Sequence, residues 1–377
     1  MGQFVNEARV DSRPTFNARV RPDMFFSTAL AFARLSLPER RSKFSPMSTD
    51  KPLRMVTCMS CNTKVFIPGD LLPLSSVPCS KCGHSIMMPL KLHGLELRAK
   101  IASGGMGTVY RAFDTVLERE VAVKLMKKEI EEDPNGLAAF YREARAQAMF
   151  NHTNIVQVYS YEEFEGQKFL VMELADRGTL DSRIDKYKRL PELDVLDIGY
   201  KMASALDMVL NHDLLHCDIK PGNILFNSEN EPKLVDFGLA RKVDSEPDDD
   251  LRGTPYYVAP EKVKREKETF LSDMYSLGGT LYHSLTGHTP FEAPTIEELV
   301  GAHVHTPLTP PNQVLPEISQ ATNDLLVKTL AKSPGDRFLS YIEMRLAFES
   351  ARAQLLFQQS QTPEDGKPKG KTSWWRR

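Results

Sequence analysis

The spacing of apolar and polar residues divides the chain into four regions. Residues 93–349 alternate strand-like and helix-like segments, which predicts one large folded domain. A short cysteine-containing module, residues 53–90, precedes it, and residues 350–377 follow as a tail that begins helical and ends polar. Residues 1–52 have no sustained helical period. Their seven arginines and scattered prolines predict a disordered basic arm, with an organellar transit peptide as the weaker alternative.

Three segments near the start of the large domain combine apolar strands or helices with isolated polar groups. Residues 101–109, IASGGMGTV, have a glycine run between branched residues, which predicts a strand, a glycine turn and a second strand. Glycines let backbone amides close over phosphates, but a plain hairpin turn explains the run equally well. Lys124 ends an apolar strand and Glu143 lies in a helical stretch, and taken singly each is typical of a solvated side chain.

A second group of polar residues is crowded into short loops further along the chain. Asp218, Lys220 and Asn223 lie close together between two apolar segments, and Asp236 follows the next apolar run. Carboxylate and amide oxygens on loops beside strands suit a hard cation such as magnesium. The segment 253–261, GTPYYVAPE, comes next. The chance that all these motifs occur together in this order is negligible.

Together the motifs resemble the eukaryotic-type Ser/Thr protein kinases, especially their bacterial branch, whose glycine loop ends in GGMG. The resemblance covers residues 93–349, about two thirds of the chain. It implies an α+β, bilobal kinase fold with a β-rich N-lobe and an α-rich C-lobe. It also implies an ATP- and Mg²⁺-dependent enzyme that phosphorylates serine and threonine hydroxyls of protein substrates. Lys220 and Thr254 match the Ser/Thr class rather than the tyrosine class.

The resemblance also implies a role for each motif residue. Asp218 would orient the substrate hydroxyl, Lys220 would neutralise the γ-phosphoryl group, and Lys124, paired with Glu143, would hold the α- and β-phosphates. Asn223 and Asp236 would bind magnesium. The nucleotide-binding set would comprise Ile101, Ala102, Ser103, Gly104, Gly105, Met106, Gly107, Val109, Ala122, Lys124, Met172, Glu173 and Ala175.

Two structural contacts follow from the same resemblance. Asp273 would brace the catalytic loop. Glu261, which ends the GTPYYVAPE segment, would pair with Arg337.

The sequence departs from the family pattern at two positions. Ala102 replaces the first glycine of the phosphate loop, which is tolerable if its backbone stays outside the left-handed region. Cys217 replaces the arginine that usually precedes the catalytic aspartate and pairs with activation-loop phosphate. The loop after Asp236 has Ser245 as its single hydroxyl residue before Gly253 and is otherwise acidic. We therefore expect activity to be independent of loop phosphorylation.

Composition narrows the classes of partner. The 377 residues carry a formal net charge of −2, so no global basic field favours a nucleic-acid partner. Residues 24–37 form the most apolar stretch, and Arg34 interrupts it, so no segment predicts a membrane span or a signal peptide. Five cysteines fit no secreted disulfide framework. We expect a cytoplasmic protein.

Four of the cysteines form two pairs, Cys58 with Cys61 and Cys79 with Cys82, and 17 residues separate the pairs. This spacing is typical of a Cys₄ zinc ribbon, because each pair can present two thiolates to one tetrahedral metal. Unrelated reduced cysteines and a redox dithiol pair are the alternatives. So small a module would depend on Zn²⁺ for its folding free energy. We expect such a ribbon to bind a protein partner rather than a nucleic acid.

Two other functions remain open for the large domain. A pseudokinase, acting as a nucleotide-binding scaffold, would keep the fold without phosphoryl transfer. A small-molecule kinase would lack the peptide-docking surface that GTPYYVAPE provides in the family. The full set of Lys124, Glu143, Asp218, Asn223 and Asp236 favours an active protein kinase over both.

Overall fold

The computed structural model describes residues 53–58, 60–245 and 253–361. The expected basic arm, the polar end of the tail after residue 361 and the acidic residues 246–252 lie outside the described residues. Their predicted properties therefore stay predictions.

The cysteine module consists of two antiparallel hairpins with a shared core. The first pairs β1 (Leu53–Thr57) with β2 (Lys64–Pro68), and the second pairs β3 (Ser76–Pro78) with β4 (Ser85–Met87). A Cys-x-x-Cys turn lies at the tip of each hairpin. Asn62 and Gly83, which follow the two turns, have positive φ angles of 54° and 73°, as asparagine and glycine tolerate.

A six-stranded antiparallel sheet forms the N-lobe, in the order β5-β6-β7-β8-β10-β9. Its buried face carries branched and aromatic residues at alternating positions, such as Val121, Val123 and Phe169. Leu74 and Met87 of the cysteine module pack against this same core. The elements of the lobe are β5 (Leu90–Leu92), β6 (Leu95–Ser103), β7 (Gly107–Asp114), β8 (Arg119–Met126), α1 (Lys128–Glu132), α2 (Pro134–Ala148), β9 (Val158–Phe164) and β10 (Gln167–Met172).

The C-lobe is helical and encloses the largest apolar core of the described residues. Helix α4 packs against both α6 and α10 at the centre of this core, where Gly199 leaves room for Phe348, whose ring lies 2.3 Å from the position of a Cβ at that glycine. The helices are α3 (Leu180–Tyr187), α4 (Glu192–Leu210), α5 (Pro260–Val263), α6 (Phe270–Thr286), α7 (Ile296–His305), α8 (Pro311–Val314), α9 (Gln320–Thr329) and α10 (Tyr341–Gln361), with short 3-10 turns at Pro221–Asn223, Pro255–Tyr257 and Pro334–Asp336.

Two small ladders hold the loops of the C-lobe. Strand β11 (Leu214–Leu215) pairs with β14 (Arg241–Lys242), and β12 (Ile224–Phe226) pairs with β13 (Pro232–Leu234). The first ladder joins the segment before the loop at 216–223 to the segment after Asp236, and the second joins the segment after that loop to the segment before Asp236. The two motif loops therefore lie side by side.

This architecture confirms the expected α+β fold, with a β-rich N-lobe and an α-rich C-lobe. Helix α10 continues past residue 349 to Gln361, in line with a tail that begins helical. The exact boundaries between ribbon, kinase domain and tail stay predictions.

The expected contact between Glu261 and Arg337 is present and buried. The Arg337 guanidinium donates to both Glu261 carboxylate oxygens, at 2.7 and 2.8 Å. Its remaining hydrogens reach the backbone carbonyls of Leu271, Ala331 and Lys332. Hydrogen bonds to Arg337 and Ser272 lower the pKa of Glu261 although burial opposes them, so the carboxylate stays charged.

We predict that Arg337→Met destabilises the protein by about 3–5 kcal/mol, because it leaves the Glu261 carboxylate buried without its cation. The matched control is Arg189→Met, which breaks the solvent-exposed pair with Glu317 and should cost at most about 1 kcal/mol. Urea unfolding followed by circular dichroism measures both. Equal losses in the two variants would contradict the prediction.

Candidate functional site

The glycine turn links β6 to β7 as a tight flap. The Gly104 amide donates to the Gly107 carbonyl at 2.9 Å, which closes the turn. A Cβ at Gly107 would lie 2.4 Å from the Leu125 carbonyl oxygen of β8, so only glycine fits there. Gly105 has nothing within 4 Å of its Cβ position. Ala102 pairs with Val109 across the ladder and keeps its backbone out of the left-handed region, so its methyl group is tolerated.

Lys124 and Glu143 form the expected ion pair. The Lys124 Nζ lies 2.6 Å from Glu143 Oε1, and the carboxylate is buried between β8 and α2. Gln147, one turn further along α2, donates from its buried side-chain amide to the Val156 carbonyl at 3.0 Å. Helix α2 is thus fixed against the sheet at the height at which Glu143 meets Lys124.

The segment that connects β10 to α3 contains the expected hinge. Met172 is the register partner of Ala122, and the Glu173 amide donates to the Gln157 carbonyl at 2.8 Å. The Glu173 carboxylate turns to Lys233, whose Nζ lies 2.5 Å away. With the Glu173 side chain engaged in this way, the hinge presents backbone groups of residues 173–175.

The catalytic loop is anchored by one buried carboxylate. Asp273 accepts hydrogen bonds from the His216 amide at 2.7 Å and the Cys217 amide at 2.8 Å. Cys217 has a φ angle of 65°, a strained conformation for a residue with a side chain, and the two hydrogen bonds hold it. Complete burial raises the pKa of Asp273, and the His216 and Cys217 contacts oppose that rise.

Asp218, Lys220 and Asn223 form one hydrogen-bonded cluster beyond this anchor. Asp218 Oδ2 accepts from Lys220 Nζ at 2.6 Å and from Asn223 Nδ2 at 3.0 Å. The same Asn223 amide also donates to the Asp218 carbonyl at 2.9 Å. The orientation of the Asp218 carboxylate is therefore fixed from two sides.

Asp236 lies next to this cluster because its loop is bonded to it. The Val235 amide donates to the Asn223 carbonyl at 3.0 Å, and the exposed Asp236 has a φ angle of 67°. Phe237 is buried, with its ring centroid 4.8 Å from His216 and 4.9 Å from Phe150. The Asp236 carboxylate stays exposed, and its Oδ1 accepts a hydrogen bond from the Gly238 amide at 3.2 Å.

The structure thus places the predicted catalytic and metal-binding residues in two groups, one in each lobe. Lys124 pairs with Glu143 in the N-lobe, while Asp218, Lys220, Asn223 and Asp236 share neighbouring loops of the C-lobe.

The four paired cysteines converge on one point. The Sγ atoms of Cys58 and Cys82 are 3.7 Å apart, those of Cys61 and Cys79 are also 3.7 Å apart, and all four lie within 4.8 Å of one another. Hydrogen bonds with Thr63 lower the pKa of Cys61 to about 6, which favours the thiolate that binds metals. Cys217 belongs to the catalytic loop, apart from this cluster.

A buried charge cluster beside Cys217 was missed by sequence reasoning. Glu268 is 6% exposed, and its carboxylate meets Arg241 at 2.5 Å and Lys262 at 3.8 Å. Burial, followed by the nearby Asp273 and Glu268 carboxylates, raises the pKa of Cys217, so the thiol stays protonated. The three charged residues are separated along the chain, and no local pattern in the sequence signals that they meet.

Comparisons with known proteins agree with this geometry. A family model described as "Protein kinase domain" matches residues 95–345. Serine/threonine-protein kinase PknH of Mycobacterium bovis is 35% identical over 259 residues, which cover 68% of this chain and 44% of the relative. Serine/threonine-protein kinase PknA of Mycobacterium tuberculosis is 35% identical over 281 residues, or 72% of this chain and 64% of the relative.

A third relative, the probable serine/threonine-protein kinase PknB of Lactococcus lactis, is 33% identical over 249 residues, or 65% of this chain and 40% of the relative. The chain therefore spans less than two thirds of the length of each of these relatives. Among the residues that the structure describes, no helix combines the length and the hydropathy needed to cross a membrane.

We predict that Gly107→Ala weakens the binding of a fluorescent ATP analogue and lowers the melting temperature, because the added methyl group must displace the Leu125 carbonyl. Overpacking of this kind costs on the order of 1–3 kcal/mol. Gly105→Ala is the matched control, since its methyl group would enter open space. Unchanged binding and stability in Gly107→Ala would contradict the assigned tight packing.

Proposed function

This chain belongs to the protein kinase family, and from that membership we propose that it transfers the γ-phosphoryl group of ATP to serine or threonine hydroxyls of proteins. The observation that carries the proposal is the assembled state of the site. Lys124 and Glu143 are paired at 2.6 Å while the Asp218 carboxylate is held by Lys220 and Asn223. A pseudokinase scaffold would require none of these contacts together, so they favour an active enzyme.

The N-lobe residues would bind and orient the nucleotide. The glycine turn, residues 103–107, would cover the phosphates with backbone amides, and Val109 and Ala122 would pack against the adenine. Met172, Glu173 and Ala175 would meet its edge through hinge backbone groups, since the Glu173 carboxylate is engaged by Lys233. Lys124, oriented by Glu143, would hold the α- and β-phosphates.

The C-lobe residues would align the reacting groups. Asn223 and Asp236 offer the oxygen ligands that suit magnesium, which when bound would neutralise phosphate charge. Asp218 would accept a hydrogen bond from the substrate hydroxyl and aim its oxygen at the γ-phosphorus. Lys220, now on Asp218 Oδ2, is close enough to the same point to stabilise charge on the transferred group.

A cleft beside Asp218 supports a protein substrate over a small molecule. Its volume is about 390 Å³, and it is lined by Asp181, Lys220, Gly222, Thr254, Tyr256 and His283, among others. Tyr256 and Thr254 belong to the segment that follows the activation loop. The cleft reaches Lys220, whose Nζ lies 2.6 Å from Asp218 Oδ2, so a chain bound in it would lie near the proposed phosphoacceptor position. Thr254 and Lys220, together with the names of the relatives, favour serine and threonine as acceptors.

We also propose that Cys58, Cys61, Cys79 and Cys82 bind one structural Zn²⁺. Zinc bonded to sulfur at about 2.3 Å places tetrahedral sulfurs about 3.8 Å apart, close to the two 3.7 Å separations found here. A disulfide would need about 2.05 Å, so these pairs are thiols. Thiolate–metal sites suit a reducing compartment, which supports a cytoplasmic location.

The ribbon has an apolar surface that supports a protein partner. Met55 and Phe66 are cross-strand neighbours in the first hairpin, and they are 53% and 66% exposed. Large exposed apolar side chains in adjacent positions are typical of interaction sites. We propose that this face of the hairpin contacts a protein substrate or regulator.

We predict that Asp218→Asn lowers kcat by roughly 10²–10⁴-fold and leaves ATP-analogue binding nearly unchanged, because the residue faces the hydroxyl and not the nucleotide. The matched control is Asp213→Asn, an exposed aspartate just before the loop with a φ angle of 57° that asparagine tolerates. A radiolabelled ATP assay with a generic protein substrate measures transfer. Wild-type turnover in Asp218→Asn would remove the residue from its proposed role.

We predict about one zinc per chain in the purified protein, measured by inductively coupled plasma mass spectrometry. Cys61→Ser should lose the metal, whereas Cys217→Ser should keep it, because Cys217 lies in the catalytic loop. Metal-free wild-type protein from zinc-supplemented growth would refute the ribbon assignment.

A further inference from the structure

A buried cluster of charged residues outside the predicted site lies beside Cys217 of the catalytic loop. A narrow cleft of about 20 Å³ opens there between Cys217, Gly253, Lys262, Glu268 and Asp273. This volume is enough for about one water molecule.

Two cations converge on the Glu268 carboxylate at this cleft. Arg241 lies 2.5 Å from one oxygen, and Lys262 lies 3.8 Å from the other. Arg241 belongs to β14, five residues after Asp236, and Lys262 belongs to α5. Glu268 precedes the cap of α6, Thr269, by one residue. One carboxylate thus joins the segment after the proposed magnesium loop, residues 236–238, to two helices of the C-lobe.

Backbone hydrogen bonds of the β11–β14 ladder link Arg241 to the start of the catalytic loop. Arg241 pairs with Leu215 in the β11–β14 ladder, and Leu215 is followed directly by His216, Cys217 and Asp218. A side chain that fixes Arg241 therefore also fixes the strand from which the catalytic loop starts. Asp273 holds the same loop from α6 through the His216 and Cys217 amides.

The charge balance leaves no place for a loop phosphate. Arg241 and Lys262 face Glu268, and the nearby Asp273 adds a second carboxylate. Cys217 adds no charge, because burial raises the pKa of its thiol and keeps it protonated and neutral. The two cations and the two carboxylates cancel, so a phosphate brought to this cleft would find no net positive charge to bind it.

We propose that Glu268 is a positioning residue whose carboxylate permanently occupies the role that a phosphorylated activation-loop residue has in arginine-bearing kinases. By neutralising Arg241 it holds the β11–β14 ladder, and through the ladder the catalytic loop, in the active arrangement without phosphorylation. The inference deepens the proposed function, on which its kinetic part rests.

The test uses the full chain and compares Glu268→Gln with Glu268→Asp. Glutamine keeps the shape and removes the charge, whereas aspartate keeps the charge on a shorter side chain. Glu266→Gln, two residues away and exposed, is the matched control. We expect kcat to fall roughly 10- to 100-fold in Glu268→Gln, as misplacement of a catalytic group by about 1 Å does. Glu268→Asp should lose less, and the KM for ATP should stay within about twofold in both variants.

Three further measurements separate positioning through Arg241 from a general loss of structure and from control by loop phosphorylation. Arg241→Gln should lower kcat as Glu268→Gln does, and the double variant should be no worse than either single one, because the two residues act as a unit. Wild-type protein treated with phosphatase, and Ser245→Ala, should keep full activity. Hydrogen exchange of the Leu214–Leu215 and Arg241–Lys242 amides should quicken in Glu268→Gln and stay unchanged in Glu266→Gln.

The outcomes distinguish this inference from the proposed function. Faster exchange in Glu268→Gln together with no transfer by the wild type would sink the proposed function and support the positioning role. Wild-type kinetics and exchange in Glu268→Gln, a larger loss in Glu268→Asp than in Glu268→Gln, or inactivation of the wild type by phosphatase would overturn the positioning role.

Discussion

The buried carboxylate of Asp273 is the constraint on which the geometry of the site depends. It satisfies two backbone amides at once, and one of them belongs to Cys217, which adopts a left-handed conformation. Without an acceptor, each buried amide would cost about 1–3 kcal/mol, and the strained residue would relax. Because Asp273 lies on α6, a helix enclosed by the C-lobe core, the catalytic loop inherits the rigidity of that core. Asp218 directly follows Cys217, so the backbone that carries its carboxylate is held in place by the same contacts.

Three acidic side chains around the start of α6 repeat the same principle. Glu261 binds Arg337, Glu268 binds Arg241 and Asp273 binds backbone amides, and each of the three carboxylates is buried. A buried charge is tolerated only with a close partner, so each contact requires its partner segment to be in one place. Together they join α5, α6, the 3-10 turn before Phe338 and the segment after the magnesium loop. Rigid loops are what phosphoryl transfer needs, since alignment and charge neutralisation supply most of the catalysis.

The sequence was informative where chemistry is concentrated in short segments. Asp218, Lys220 and Asn223 lie within six residues, so their side chains can reach one another, and in the structure Lys220 and Asn223 both donate hydrogen bonds to Asp218. The cysteine spacing likewise predicted two turns that bring four sulfur atoms together, and the structure shows them within 4.8 Å of one another. By contrast, the pairs Glu173–Lys233 and Arg241–Glu268 join residues 60 and 27 positions apart. A single lysine or glutamate in a sequence is most often solvent-exposed, so no local pattern predicts that these residues are buried in pairs with distant partners.

The packing of the ribbon on the N-lobe has a physical consequence for how the two modules communicate. Leu74 and Met87 belong to the segment that carries the second hairpin, yet they pack against the core beneath β6, β7 and β8. The Leu74 amide and the Met88 carbonyl bond to each other at 2.9 Å, which ties this apolar contact to the cysteine turns nearby. Strand β6 starts at this contact and ends at the glycine turn. Binding of the proposed partner to Met55 and Phe66, or loss of the proposed zinc, would thus change the support of the strand that leads to the glycine turn.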